Sequence, residues 1–459
     1  MTSHPSNRSN DGPGSRHSQH SHDGRAGRSA ASAPGAATRV LVLNCGSSSV
    51  KYQLLDMADR SRLAAGLVER IGERASRLLH TPQGGDARER TGPVPDHATA
   101  LKALAGELAA DGYGFDDPEL AAVGHRVVHG GQRFTEPTVV DDAVLAEIER
   151  LVPLAPLHNP ANITGIRTAW ALNPGLPHVA VFDTAFHTTM PEHAARYAID
   201  VATADAHCIR RYGFHGTSHA YVSRRAAQLL GREPQETNVI VLHLGNGASA
   251  SAVAGGRCVE TSMGLTPLEG LVMGTRSGDI DPAVVFHLAR VAGLSVDECD
   301  ELLNKKSGMV GLCGDNDMRE IVRRRDAGDA AARLAFEIYV HRLRKYLGAY
   351  TAVLGRVDAV VFTAGVGENS APVRQAAVEG LAGLGLAVDE ARNTAASKEP
   401  RVISPEGAEV AVAVVPTEEE LEIATQAYAL VTTAGDTDGN AVGAAHRNAA
   451  GSTGGTSNR

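Results

Sequence analysis

Three turns rich in glycine and serine, each fed by a run of β-branched and aliphatic residues, are the places where this sequence can handle phosphate. The first is Cys45-Gly-Ser-Ser-Ser49, between residues 39–44 and 50–55. The second is Leu244-Gly-Asn-Gly-Ala-Ser249, between 238–243 and 250–254. The third is Ala364-Gly-Val-Gly-Glu-Asn-Ser370, which follows 358–363 and precedes Pro372. Turns of this kind surround a small concavity with unpaired N–H groups and hydroxyls, which suits phosphate oxygens. A strand that opens through glycines into a helix N-terminus does the same with backbone donors alone. Ser49 and Lys51 share one face of their strand by period-two alternation, so a mobile cation joins the hydroxyls. The chain has neither GxxxxGK[ST] nor the HRD and DFG pair, which excludes a P-loop and a protein-kinase loop as the cradle.

The residues between these turns carry the rest of the chemistry. Gly124-His-Arg-Val-Val-His-Gly-Gly131 reads as a strand ending in a Gly-Gly turn, with Arg126 and Val128 on one face and His125, Val127 and His129 on the other. A cation beside an apolar patch is what a short-chain carboxylate needs. Asp183 ends the strand 179–182, at the position where α/β proteins build sites. Arg211-Tyr-Gly-Phe-His-Gly-Thr-Ser-His219 is a polar, glycine-broken turn entering a helix. His215 and His219 have a zinc-like spacing, but no HExxH glutamate accompanies them, so capping or substrate binding is the expected role. Gly274-Thr-Arg-Ser-Gly-Asp279 holds Arg276 in a loop, where a guanidinium can neutralise a transferring phosphoryl group.

The elements that must position these residues are those of an α/β protein: helical patterns over 99–110, 141–151, 282–291, 330–354 and 418–431 alternate with short strands. The hairpins opening at Arg39 and Asn238 follow one plan of buried strand, polar end residue, glycine-rich turn and return strand, which predicts an internal duplication. Residues 1–37 contain no Val, Ile, Leu, Phe, Tyr or Trp, and the segment 432–459 is nearly as poor in apolar residues, so both are expected to be disordered. His4, His17, His20 and His22 then belong to a solvated arm.

Among 459 residues, 53 acidic against 44 basic side chains give a net charge of −9, which argues against a nucleic-acid or anionic-membrane partner. No apolar run is long enough for a membrane span or a signal peptide, so a cytoplasmic protein is expected. Cys45, Cys208, Cys258, Cys299 and Cys313 lack CxxC spacing and read as reduced thiols.

Taken in order, Asn44-x-Gly-Ser-Ser-Ser, Gly124-His-Arg-Val-Val-His-Gly-Gly, Phe182-Asp-Thr-Ala-Phe-His, Tyr212-Gly-Phe-His-Gly-Thr-Ser-His, His243-Leu-Gly-Asn-Gly-Ala-Ser, Gly274-Thr-Arg-Ser-Gly-Asp and Gly365-Val-Gly-Glu-Asn strongly resemble the acetokinase family, within the actin/sugar kinase/Hsp70 superfamily. The resemblance covers residues 38–431. It implies two duplicated actin-like ATPase (ribonuclease H-like) domains with a nucleotide cleft between them. Domain 1 would span 38–187 and domain 2 188–415, with a helix over 416–431 returning to domain 1. It further implies a homodimer and the reaction ATP + acetate ⇌ ADP + acetyl phosphate with Mg²⁺, or Mn²⁺.

By motif, Asn44 and Glu419 would lie at the metal, and Ser47, Ser49 and Lys51 near the phosphates. Arg126 would bind the acetate carboxylate. Val128, Leu157, Phe214 and Pro267 would enclose its methyl group, and His215 and Arg276 would stabilise the transition state around the central Asp183. The backbone of His243, Leu244, Gly245, Asn246 and Gly247 would hold phosphates. Asp317, Met318 and Arg319, with Gly365, Val366, Gly367, Glu368 and Asn369, would hold the adenosine.

Two departures stand out. Glu418 replaces the family's usual Asn, so Glu418, Glu419 and Glu420 compete for the metal role, with Glu419 chosen by alignment on Pro416-Thr417. Gly314-Asp-Asn316 stands where serines are usual, bringing a carboxylate near the adenosine. Acetate is ionised at neutral pH and needs no general base, so Asp183 is expected to orient Arg126 or Arg276, or to hold the metal through water. Propionate or butyrate kinase is the alternative, and a non-catalytic nucleotide-dependent binding module the remote one.

Overall fold

The computed structural model describes residues 37–448, with side chains described to Thr433. The expectations for the histidine-containing arm and for residues 449–459 lie outside the described residues.

Fourteen strands form two sheets. The first contains β1 (Arg39–Cys45), β2 (Ser49–Asp56), β3 (Ser61–Glu69), β4 (Ser76–Pro82), β5 (Arg88–Gly92), β6 (Leu120–Val127), β7 (Thr138–Val139) and β8 (His178–Phe182) in the order β5-β4-β3-β2-β1-β6-β8-β7. The second contains β9 (Asn238–Leu244), β10 (Ala248–Ala254), β11 (Arg257–Thr261), β12 (Ala359–Thr363), β13 (Arg401–Val402) and β14 (Ala411–Val414) in the order β11-β10-β9-β12-β14-β13. Each sheet is built on the same five strands: an antiparallel meander, β3-β2-β1 or β11-β10-β9, extended in parallel beyond its first strand by two later ones in turn, β6 then β8 or β12 then β14. The duplication inferred from the two hairpins is thus a duplication of sheet topology.

Burial explains the arrangement. β1, β8, β9 and β12 are apolar on both faces, as strands covered by helices on two sides must be. Leu101, Leu104 and Leu108 of the helix His97–Ala110 pack with Leu41, Leu43 and Tyr52 on one face of the first sheet. Ile423, Ala424 and Ala427 cover the other face against Val40, Val42, Val179 and Val181. Ile423, Ala424 and Ala427 belong to the C-terminal helix, Glu419–Asn448, which returns to the first sheet. Gly124 on β6 makes the contact possible: a Cβ there would sit 2.9 Å from Ile423 Cγ2.

The second sheet has the long helix Ala330–Leu354 on one side, through Phe336, Tyr339, Leu343 and Leu347. On the other side lies the helix Gly216–Leu229, through Val222 and Ala226. Each fully buried leucine of this set contributes about 1.5–3 kcal/mol of transfer free energy.

Two helical expectations change in detail. The C-terminal helix does not stop at Val431. Thr432 and Thr433 return their hydroxyls to the carbonyls of Tyr428 and Ala429 at 2.8 Å each, which keeps polar side chains compatible with a continuing helix. The helix expected over 282–291 is Ala283–His287 followed by a wider π turn, Leu288–Ala292. Among the described residues no helix is long and apolar enough to cross a membrane.

Candidate active site

The β1–β2 hairpin sets Asn44 directly opposite Lys51. Its turn is closed by Gly46 N–H donating to the Ser49 carbonyl at 2.8 Å. It is pinned from outside by Asn162 Nδ2 on the Cys45 carbonyl at 2.7 Å and by His97 Nε2 on the Gly46 carbonyl at 2.6 Å. Ser47 is exposed and Ser49 half-buried.

Next to this turn, β6 and β8 run parallel and bring Arg126 and Asp183 together. Arg126 Nε donates to both Asp183 oxygens at 3.0 and 3.2 Å, and Nη2 donates to Oδ2 at 2.6 Å. Arg126 Nη1 reaches Asn44 Oδ1 at 3.4 Å. Burial pushes the Asp183 carboxyl up, against the pull of Arg126, and Glu419 adds to the push. Burial works against the Arg126 charge, but Asp183, Glu419 and Glu420 more than offset it and hold its pKa above the ordinary value. Asp183 is therefore in contact with Arg126, and no contact ties it to Arg276 among the described residues.

The three glutamates at the start of the C-terminal helix separate by partner. Glu418 accepts from Tyr221 Oη at 2.9 Å, and Glu420 pairs with Lys51 Nζ at 2.6 Å. Glu419 has neither hydrogen bond nor ion pair among the described residues, while its charge is felt by both Arg126 and Asp183.

The second sheet supplies the β9–β10 turn, closed by Gly245 N–H on the Gly247 carbonyl at 3.0 Å. Leu244 is core, so it offers only backbone. A Cβ at Gly247 would lie 3.5 Å from His215 Nε2 and 3.6 Å from Arg276 Nη1, which places both side chains against the turn.

His215 caps the helix Gly216–Leu229 in a left-handed conformation, φ +57°, uncommon for a residue with a Cβ. The position is over-determined. Gly216 N–H donates to the Asp183 carbonyl at 2.9 Å, where any Cβ would collide, and the His215 ring stacks on His243 at 4.2 Å between centroids. Ser249 Oγ then lies between His215 Nδ1, at 2.9 Å, and His219 Nε2, at 2.7 Å.

That serine has one proton to give. His219 Nδ1 is buried without a partner, and an orphaned N–H is rarer than an orphaned lone pair. The proton of His219 therefore sits on Nε2 and is donated to Ser249, whose hydroxyl donates to His215 Nδ1, leaving His215 with Nε2–H facing the Gly247 turn. Burial, with His243, His219 and the guanidiniums of Arg126 and Arg276 nearby, pushes the His215 pKa well below its ordinary value. His215 is thus a neutral donor.

Arg276 is itself half-buried, and its desolvation lowers its pKa. Its Nη1 donates only to the Pro267 carbonyl, at 3.1 Å, and to Met273 Sδ, at 3.8 Å, with no carboxylate partner among the described residues.

A cavity of about 480 Å³ opens beside the same turn. Gly245 and Asn246, Asp317 to Arg319, and Gly365, Val366 and Asn369 all line it, so three segments assigned separately from sequence share one space. Asp317 caps the helix Met318–Asp326 and pairs with Arg319 at 2.6 Å. Asp315 is occupied in the turn, accepting from Asp317 N–H at 2.9 Å, and Asn316 is the departing residue that lines the cavity, tied to Asn246 at 3.0 Å. Gly367 and Glu368 do not line it. Glu368 Oε1 accepts from Thr417 N–H at 3.1 Å, tying this turn to the segment that carries Glu419.

Of the four apolar residues assigned to a methyl pocket, Val128 and Phe214 are buried in one cluster. Pro267 is half-buried, and Leu157 is 54% exposed.

The profile of the Acetokinase family matches residues 39–425. The chain belongs to the acetokinase family. It is 78% identical to the acetate kinase of Streptomyces griseus subsp. griseus over 396 residues, 86% of this chain and 96% of that one. Its fold is similar to the crystal structure of Porphyromonas gingivalis acetate kinase, with a TM-score of 0.81 at 45% identity, covering 86% of this chain and all of that one. A propionate kinase from Francisella tularensis matches with a TM-score of 0.80 at 43% identity, over 85% and 98% of the two chains.

In this acetokinase-family chain the sequence reading missed residues that act through neighbours. His158 feels Arg276, Arg126 and Asp183 together and is held below its ordinary pKa chiefly by burial. Its one visible signal was its place beside Leu157 and before Asn159-Pro160. Ser249 was read as part of a phosphate turn, yet its hydroxyl is spent between two histidines. Glu420, read as a rival metal ligand, neutralises Lys51.

Proposed function

We propose that this chain catalyses reversible transfer of the γ-phosphoryl group of ATP to acetate, giving ADP and acetyl phosphate by direct in-line displacement. The observation that carries the reading is the pairing of unlike arginines: Arg126 is locked by a buried carboxylate, whereas Arg276 is half-buried with no carboxylate partner among the described residues and lies against the glycine turn.

Acetate arrives ionised, so no proton has to be removed, and the barrier is the approach of two anions. Arg126, fixed on its Asp183 side, offers its remaining N–H groups to the acetate carboxylate, while Val128 and Phe214 receive the methyl group. Arg276 and the neutral His215 Nε2–H meet the phosphoryl oxygens from the β9–β10 turn, whose backbone donors cradle the β-phosphate. Positioned donors of this kind do most of the work in phosphoryl transfer. The 480 Å³ cavity takes the adenosine.

A hard, oxygen-binding ion fits the remaining groups. Glu419 has a free carboxylate and Asn44 a nearby amide oxygen, the sparse donor set expected where Mg²⁺ keeps several waters and binds phosphates. Bound there, Mg²⁺ or Mn²⁺ would offset the phosphate charge. Asn44 and Glu419 would hold it, with Asp183 reaching it only through water because Arg126 occupies both its oxygens.

A homodimer is supported by the exposed apolar side chains of Phe286, Val291 and Val296, which are 57%, 71% and 81% exposed. Phe286→Asp should convert the dimer to monomer in light scattering.

A hydroxamate assay with ATP, Mg²⁺ and acetate, propionate or butyrate tests the function. Acetate should give the highest kcat/KM, since one methylene in an apolar pocket is worth about 1–3 kcal/mol. A higher value with propionate would favour the second reading, which the likeness to the Francisella propionate kinase keeps open.

A further inference from the structure

A second cavity, about 540 Å³, lies behind the site and is lined by the neighbours of Asp183 and His215, not by those residues themselves. Phe182 and Phe186 give it an aromatic floor, Thr217 and Arg224 come from the His215 helix, and Arg257 begins β11. Thr217 is 3% exposed, and its Oγ1 has no hydrogen-bond partner among the described residues. Arg257 has no ion pair and no side-chain hydrogen bond among them. Glu136 is the one carboxylate on the wall, so the lining is net cationic.

An orphaned buried hydroxyl is a cost that a ligand able to satisfy it returns. Two guanidiniums and a hydroxyl around an aromatic floor match the oxygens of a phosphate on a small organic group.

We propose that this cavity binds a small phosphomonoester, at a site separate from the nucleotide cleft, and that its occupancy slows turnover. Arg224 provides the coupling. It pairs with the buried Glu422, which also accepts from Gln426 Nε2 at 2.6 Å. Ser218 Oγ meets Thr417 Oγ1 at 2.8 Å and Tyr221 meets Glu418 at 2.9 Å, completing a ladder between two helices. One of these helices is capped by His215 and the other begins at Glu419. A phosphate that draws Arg224 from Glu422 loosens the ladder that sets these two residues relative to each other.

Phenyl phosphate is the probe, titrated calorimetrically into the full chain. We expect saturable binding with one site per chain, weakened about tenfold or more by Arg257→Ala and by the near-isosteric Thr217→Val, and unchanged by Arg276→Ala. At saturating ATP, Mg²⁺ and acetate it should lower kcat at least twofold in the parent chain and leave Arg257→Ala, whose basal activity is intact, unaffected. No heat at millimolar probe would overturn the proposal. So would binding that survives Arg257→Ala but is lost in Arg276→Ala, or inhibition relieved by more ATP or acetate, because the anion would then sit in the catalytic cleft. The calorimetry reads the site without turnover, so its failure is distinguishable from failure of the acetate kinase reading.

Discussion

Replacing Asp183 by Asn separates two roles that its position allows. The carboxylate makes three contacts with Arg126, the shortest 2.6 Å, and is almost fully buried. The amide keeps one acceptor oxygen but turns an NH₂ towards the guanidinium and leaves the half-buried Arg126 without its hydrogen-bonded counter-charge, with only Glu419 and Glu420 acting on it from a distance. Breaking a buried pair from one side costs about 3–5 kcal/mol of stability, partly recovered here because an oxygen remains. A shift of about 1 Å in a positioning group costs about 10²-fold in rate. We therefore expect Asp183→Asn to remain folded, to unfold at lower urea, and to lose about 10²-fold in kcat/KM for acetate, with the KM for ATP changed less than threefold. Activity measured from 1 to about 50 times the parent's half-saturating Mg²⁺ should stay flat. Recovery of most of the activity at high Mg²⁺ would refute the orienting role and make Asp183 a metal ligand.

Arg276→Ala should lower kcat by about 10²–10³, the scale for losing one transition-state donor, and a loss below about threefold would sink its role. Glu419→Gln should raise the Mg²⁺ needed for half-maximal rate about tenfold or more, whereas Glu420→Gln, which frees Lys51, should leave it within about threefold; equal effects would refute the distinction drawn from their partners. Burial pushes His129, His178, His187 and His243 down to about 4, while in the unfolded chain they titrate near 6.5. Between those values the unfolded state binds more protons, so stability falls as pH drops from about 6.5 to 4, by about 1.4 kcal/mol per pH unit for each histidine in the middle of that window. Asp183 and Glu260, whose pKa values are raised, oppose this, but as two groups against four. Urea midpoints should therefore be flat above about pH 7 and lower at pH 5, and an unchanged midpoint at pH 5 would contradict the buried neutral state.

Much of the fold was legible because it rests on local pattern. Residues 39–55 and 238–254 each announce a buried strand, a glycine turn and a return strand, and those are the two hairpins on which the sheets are built. Of the residues marked by the same reading, the structure sets His215 and Arg276 against Gly247, pairs Arg126 with Asp183 beside Asn44, and brings parts of the second and third turns to one cavity. The charge state of the site was not legible. From residue types alone, Lys51, Arg126, His215 and Arg276 read as a cationic pocket. Ion pairs formed across distant segments neutralise Lys51 through Glu420 and Arg126 through Asp183, and burial keeps His215 neutral, leaving Arg276 as the cation of that set without a carboxylate partner. Likewise, nothing in the spacing of Ser249, His215 and His219 shows that one hydroxyl sets the tautomer of both rings.

The central claim is that an acetate oxygen takes the phosphoryl group directly. Phosphorus NMR of the purified chain with ATP, Mg²⁺ and ¹⁸O-labelled acetate measures this. The account predicts an acetyl phosphate signal growing in step with ADP and carrying the isotope shift of an ¹⁸O bridge to phosphorus. ADP accompanied by orthophosphate alone, or acetyl phosphate with an unlabelled bridge, would contradict it.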